Sequence, residues 1–392
     1  MTDDSFPQYS FHMRDLRRLP LDAHHRDAGA HFGQIFGWER PLYFGKTAEP
    51  KMRFDQPDWF ENVRAEVQAA HEGAAIFDLS PFDKIDVTGP DAEAFLMHTC
   101  AGHVNRAPGS VIYSAVLNQR GTFESDITAQ RLAADHYRLF VGTGAIRRDL
   151  AWFARAAAGF DVTLTDVTED WAVLALMGPR ASRVAAELGD ETLLQIGYFR
   201  HEPAIFAGCD VRAARLSYVG EAGWEITCRV GDAPILYAAM TEAGAVPAGL
   251  FAQTSMRIEK GFCAMGHELD GDLTPVDVGL DVGTRNSGGF TGAEALAARR
   301  SNGDVNRLVS LTFEDDEAVP IGREPICRNG VILGQTTSCA YGYRIGKPVA
   351  LGLVRDALVD ASMVEVDIAG TMFAAQVTVG PLFDPKGERM RG

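Results

Sequence analysis

Two stretches of this chain repeat one phrase. KIDVTGPDAEAFLMHT, from residue 84, and LALMGPRASRVAAEL, from residue 174, each run from a strand-like segment through Gly-Pro, at Gly89 and Gly178, and a polar residue into an alanine-led apolar helix pattern. A strand–Gly–Pro–helix corner used twice constrains the fold more than any other feature. It predicts two related α+β units in tandem, facing each other across a cleft.

The pattern changes after about residue 305. RLVSLTF, VILGQTTS, VALGLV, MVEVDI and FAAQVTVG are short β runs separated by turn residues, with no helix between them. That spacing predicts a small barrel-like C-terminal domain, with its boundary in ARRSNGDVN. At 392 residues the chain is long enough for two or three domains. We expect an N-terminal extension over 1–50 packing on the core, the paired α+β units over 51–304, and the barrel over 305–392. In the extension, HFGQIFGWERPLYFG interleaves aromatics and glycines around Glu39 and Arg40, and reads as a packed Ω-type loop or a cleft wall.

Charge and cysteine usage limit the partners. A net charge of −16 argues against nucleic acid and anionic membranes, which need a basic surface. The first residues show no signal-peptide pattern, and no apolar run approaches the ~20 residues of a membrane span. The six cysteines form no CxxC pair, as expected of reduced thiols in a cytoplasmic protein. His24, His25, His31 and the Cys263/His267 spacing lack third and fourth ligands, so no metal is expected.

Four segments carry candidate chemistry. SYVGEAGWEI places Tyr218, Glu221 and Glu225 around a glycine-punctuated turn, read as a hairpin with Gly220 and Gly223 at its tip. Glutamates at such a tip are ordinarily solvated. In FESDITAQRL, strand alternation puts Phe123, Ser125 and Ile127 on one face and Glu124 and Asp126 on the other. Asp126 is either on the wet side of a sheet or, facing an apolar cleft, a group able to orient or deprotonate an amine or stabilise a cation. In FAQTSMRIEKGF, Arg257 and Lys260 flank Glu259 on a helix, either as a surface ion pair or with Arg257 gripping a ligand carboxylate. YRLFVGTGAIRRDL imitates the start of a dinucleotide fingerprint, but Arg147 stands where the third glycine belongs, so we reject a dinucleotide and keep an approach to a ligand's backbone or anion.

With these residues in place, the chain resembles the aminomethyltransferase family, the glycine cleavage T-proteins, and is similar to the C-terminal folate-binding half of dimethylglycine and sarcosine dehydrogenases. FGWERPLYF, FDLSPFDKIDVTGPDA, SYVGEAGWEI, MRIEKGFCAMGHEL, TPVDVGL and FTGAEAL carry the resemblance across nearly the whole chain. It implies tetrahydrofolate as cofactor, with Tyr218 and Glu225 lining the pterin pocket, Asp126 as catalytic aspartate, and Tyr113 and Arg257 on folate-site positions. Gly142 departs from the family pattern, which has an Asn in that turn, so a polar contact to the ligand is expected to be missing, or replaced by Thr143 or a backbone amide.

The implied activity is transfer of a methyl or methylene group from a small, N-methylated substrate to tetrahydrofolate. The flavin domain that precedes the folate half in the dehydrogenases is expected to be absent, so amine oxidation would fall to a separate flavoprotein or other amine-oxidising subunit. Two alternatives are a folate-binding module of the iron–sulfur assembly type, from whose K-G-C-x-x-G-Q-E motif the segment Lys260 to Glu268 departs, and a regulatory subunit that binds folate without catalysis.

Overall fold

In a computed structural model that describes residues 14–45, 56–302, 306–355 and 362–392, both Gly-Pro corners form, one in each of two mixed-length sheets. The expected divisions after residues 50 and 304 fall outside the described residues. Strand Asp83–Thr88 turns at Gly89 into helix Ala92–Thr99, and strand Trp171–Met177 turns at Gly178 into helix Ala181–Leu188. The two glycines hold φ of 129° and 130°, and a Cβ on either would sit 2.4 Å from a backbone oxygen, of Asp161 or Gly73. Only glycine can make this corner.

The five-stranded sheet runs in the order Val111–Leu117, Phe123–Ala133, His136–Val141, Asp83–Thr88, Thr163–Asp166. The six-stranded sheet runs His201–Phe206, Cys209–Ala214, Gly223–Arg229, Trp171–Met177, Ala75–Asp78, Val246–Ala248. The units are therefore interleaved rather than strictly tandem. Ala75–Asp78 precedes the first corner, yet pairs with Trp171–Met177 and, in parallel, with Val246–Ala248. All four of its residues are buried, which an inner position in a sheet covered on both faces provides.

Helices Ala92–Thr99 and Ile146–Ala156 cover the back of the five-stranded sheet, where Phe95 and Phe153 pack with Ile112, Val116, Ile127 and Ala129. The front faces the other sheet: Phe140 shares one buried cluster with Phe77, Val173, Ala175 and Met177.

Helix Phe60–Glu72 buries Phe60, Val63, Val67 and Ala70 along one stripe, and Glu66 with them. Both Glu66 oxygens accept backbone N–H groups, from Phe44 at 2.5 Å and from Gly249 at 2.8 Å, tying the N-terminal segment to helix Leu250–Glu259. Burial outweighs these donors and pushes Glu66 from 4.5 up to about 8. A carboxyl raised in the folded state stabilises fully below its unfolded pKa, and loses that contribution as pH rises through the folded one. The melting-temperature advantage of wild type over Glu66→Gln is accordingly expected to shrink between about pH 5 and pH 8; a constant difference would show that Glu66 does not titrate there.

The aromatic N-terminal segment is a hairpin, Ala30–Ile35 with Trp38–Phe44, and not an Ω-type loop. Its Glu39 is fully buried and accepts from Arg14 Nε at 2.9 Å and Asp15 N at 2.7 Å, while Leu42 and Tyr43 join the inter-sheet core.

The C-terminal strands close into a six-stranded barrel filled by Val309, Leu311, Phe313, Ile326, Val364, Val366, Ala375 and Val377. Five strands match the expected runs. The sixth, Pro325–Arg328, escapes sequence reading because it is four residues long, opens on proline and is bulged between Ile326 and Cys327. Among the described residues no helix is long and apolar enough to cross a membrane.

Candidate functional site

The register of the five-stranded sheet places Asp126. The alternation holds from Ser125 on: Ser125, which donates to Asp149 Oδ2 at 2.8 Å, and Ile127 are buried toward the helices, and Asp126 points to the front. A bulge that pairs Leu117 with Phe123 breaks it there, and Phe123 packs instead with Ala115 and Leu117. Ala115 lies opposite Asp126 on one side, and the pairing of Ile127 with Val141 brings Gly142 opposite on the other. The neighbouring row on the same face is Tyr113, Thr128, Phe140, Lys84. Because Phe140 packs on the second sheet, this face looks into the space between the sheets.

Tyr113 Oη donates to Asp126 Oδ2 at 3.2 Å. Tyr113 keeps 37% of its surface accessible, yet protein surrounds both groups, as in an open cleft. Burial pushes Asp126 up to about 6, opposed by the Tyr113 hydrogen bond and reinforced by the charge of Asp149. Burial also holds the Tyr113 phenol well above its ordinary value, with the Asp126 charge acting in the same sense.

Glu225 stands on the facing sheet. Phe77, Ala175, Glu225 and Ala214 form one row across four strands, and Phe77 and Ala175 belong to the inter-sheet cluster. Glu225 is 9% exposed, and burial alone pushes it up to about 7. It accepts no hydrogen bond from any described residue. Buried carboxylates normally find partners, because an unpaired one carries its full desolvation cost.

The connection before Glu225 differs from the expected hairpin. The strand stops at Ala214, and residues 215–222 run as irregular chain into Gly223–Arg229. That path lets Tyr218 Oη donate to the Cys263 carbonyl at 2.8 Å, with its ring stacked parallel to Phe262 at 5.8 Å. It also separates the two acids. Glu221 is fully buried and accepts from His71 Nδ1 at 2.9 Å, Arg344 at 3.1 Å and Arg389 Nε at 2.8 Å, so it is a structural hub, whereas Glu225 is uncommitted.

Arg257 corrects both readings of its segment. It is neither a surface ion pair nor free for a ligand carboxylate: it is 4% exposed and bonds Glu268 Oε2 at 3.0 Å, the Phe262 carbonyl at 3.0 Å and Ser338 Oγ at 2.6 Å. Lys260 is likewise buried, on Asp384 Oδ2 at 3.0 Å. These cations fasten helix Leu250–Glu259 to the C-terminal region, a role that depends on partners far away in sequence.

The Gly142-Thr143-Gly144 turn carries no free anion site. At the start of helix Ile146–Ala156, the Ile146 N–H already donates to Asp83 Oδ2 at 2.9 Å, and that carboxylate would repel another anion. Gly142 follows Val141, whose ladder partner Ile127 adjoins Asp126. Sequence reading missed Cys263, which supplies the carbonyl for Tyr218 and whose thiol lies in the electrostatic field of Asp126; only its place beside Phe262 hinted at this. Among the described residues no group of three or more His, Cys, Asp or Glu could hold a metal ion.

Comparisons with known proteins match this architecture. Residues 21–286 match the family model described as the GCVT N-terminal domain, and residues 306–384 the glycine cleavage T-protein C-terminal barrel domain. The chain is 33% identical to the aminomethyltransferase of Moorella thermoacetica over 95% of its own length and 99% of that protein's. It is 32% identical to the mitochondrial dimethylglycine dehydrogenase of Rattus norvegicus over 91% of its own length but 43% of the relative's, so it spans less than half of that enzyme. The crystal structure of glycine cleavage system aminomethyltransferase T from Bartonella henselae superposes with a TM-score of 0.83 at 27% identity, covering 95% of this chain and 99% of that one.

Proposed function

Because the chain belongs to the glycine cleavage T-protein family, we propose that it is a tetrahydrofolate-dependent transferase that takes a one-carbon unit, methyl or methylene, from a small N-methylated amine. Glu225 is the observation that carries this reading. A buried carboxylate without a protein donor suits a ligand edge presenting adjacent N–H groups, and the pterin ring of tetrahydrofolate is such an edge. Tetrahydrofolate supplies the nitrogen that accepts the one-carbon unit. Tyr218 covers the ring beside Phe262, Tyr113 aims the Asp126 carboxylate, and Asp126, ionised above about pH 6, steadies a cationic nitrogen or takes its proton. The six cysteines are all free thiols, which suits a reducing, cytoplasmic setting.

Anaerobic titration calorimetry with tetrahydrofolate tests the pocket. Wild-type affinity is expected to rise with pH through about 7, because the ionised Glu225 accepts both N–H groups. Glu225→Gln should bind about ten- to a hundredfold more weakly and lose that pH dependence. Unchanged affinity in the variant would remove Glu225 from the site.

A second reading concerns how the carbon arrives. The dehydrogenase relative is more than twice as long as the matched region, which favours this chain as the folate-capturing part of an oxidative demethylase working with a flavoprotein or other amine-oxidising partner. Mass spectrometry of the folate after incubation with methylated amines decides. 5-Methyltetrahydrofolate formed by the chain alone marks a self-sufficient demethylase; conversion only on adding formaldehyde or an amine dehydrogenase marks the capturing part.

A further inference from the structure

The cleft wall beside Asp126 has a step that the backbone does not require. Gly144 must be glycine: its φ is +80°, and a Cβ there would lie 2.5 Å from Phe36. Gly142, two residues earlier, is not among the positive-φ glycines, and a Cβ built on it meets no atom within 4 Å. A Cβ could stand there without backbone strain or clash. The ladder ends at the pair Ile127–Val141; carried one residue further, its register sets Gly142 across from Asp126 and on the same face, where directly opposed side chains approach within about 5 Å. A side chain at 142 would therefore enter the space next to the Asp126 carboxylate.

The other side of Asp126 is differently built. Tyr113 bonds it there, and Tyr113 lies within electrostatic reach of Cys263 and Tyr218, so the aromatic groups gather on that flank. Phe36, at the tip of the N-terminal hairpin, rests on Gly144 and bounds the step at its outer end.

We infer that Gly142 is a specificity-determining position, which keeps room beside Asp126 for a substituent on the folate nitrogen that faces this carboxylate. It sets how large a one-carbon group the cleft holds, and it does so by absence of a side chain rather than by contact. The inference rests on the tetrahydrofolate reading above.

Titration calorimetry of wild type, Gly142→Ala and Gly142→Val with tetrahydrofolate and with 5-methyltetrahydrofolate tests it. Wild type binds both. Gly142→Val is expected to bind 5-methyltetrahydrofolate about tenfold or more weakly while keeping tetrahydrofolate within about threefold, with Gly142→Ala between. The melting temperature of Gly142→Ala should be unchanged, since the added Cβ meets open space. Equal weakening of both ligands would make Gly142 part of the general ring wall and overturn the inference, as would no change in either. If wild type binds neither ligand, the tetrahydrofolate reading itself falls and takes the inference with it.

Discussion

Asp126→Asn is expected to lower one-carbon transfer by about 10²–10⁴-fold while tetrahydrofolate still binds within a few-fold of wild type. The substitution keeps shape and the Tyr113 contact but removes both the charge and the proton-accepting capacity. Burial sets the working range: with Asp126 pushed up to about 6, its ionised form dominates at neutral pH and is lost below. The wild-type rate should therefore fall on an acid limb near pH 6, and the residual rate of the Asn variant should lack that limb. Rapid-quench assay of folate products across pH 5–8 checks both. A variant with wild-type turnover would remove Asp126 from the chemistry, and a variant that no longer binds folate would recast it as a binding residue.

Arg344→Met should be the most destabilising single substitution in the protein's interior polar network, by about 3–5 kcal/mol in urea unfolding. Arg344 pairs through Nε with Glu259 and through a terminal nitrogen with Glu221 at 3.1 Å, both acids fully buried. It also donates to the carbonyls of Val219 at 3.0 Å and Met256 at 2.7 Å, and its guanidinium lies 3.8 Å over the Phe383 ring. Methionine fills similar volume but leaves Glu259 only the backbone N–H groups of residues 344 and 345, and leaves Glu221 to His71 and Arg389. Because Val219 adjoins Tyr218, folate affinity should fall together with stability. A loss under about 1 kcal/mol would mean that water or the remaining partners satisfy the two acids.

The acids and cations of this protein show where local pattern stops being informative. Period-two alternation correctly separated Asp126 from Ser125 and Ile127, because the pleat decides which way successive side chains point, but it failed at Phe123, where a bulge no local pattern announced breaks the register. Nothing local distinguished Glu221 from Glu225, four residues apart around the same turn. Their fates diverge because Arg344, more than a hundred residues downstream, meets one and not the other. Arg257 and Lys260 looked like surface charges on a helix for the same reason: Glu268, Ser338 and Asp384 come from other parts of the chain.

The two Gly-Pro corners, the β-rich C-terminal region and the opposite facing of Asp126 and Ser125 were legible from the residues, since each follows from spacing or from backbone angles that only glycine adopts within a few residues. Tertiary structure decided the rest: the strand exchanged between the two units, the burial of the charged network, the uncommitted state of Glu225 and the open step at Gly142. These depend on which distant groups come within a few ångströms, and hydrogen-bond and ion-pair energies act only at that range.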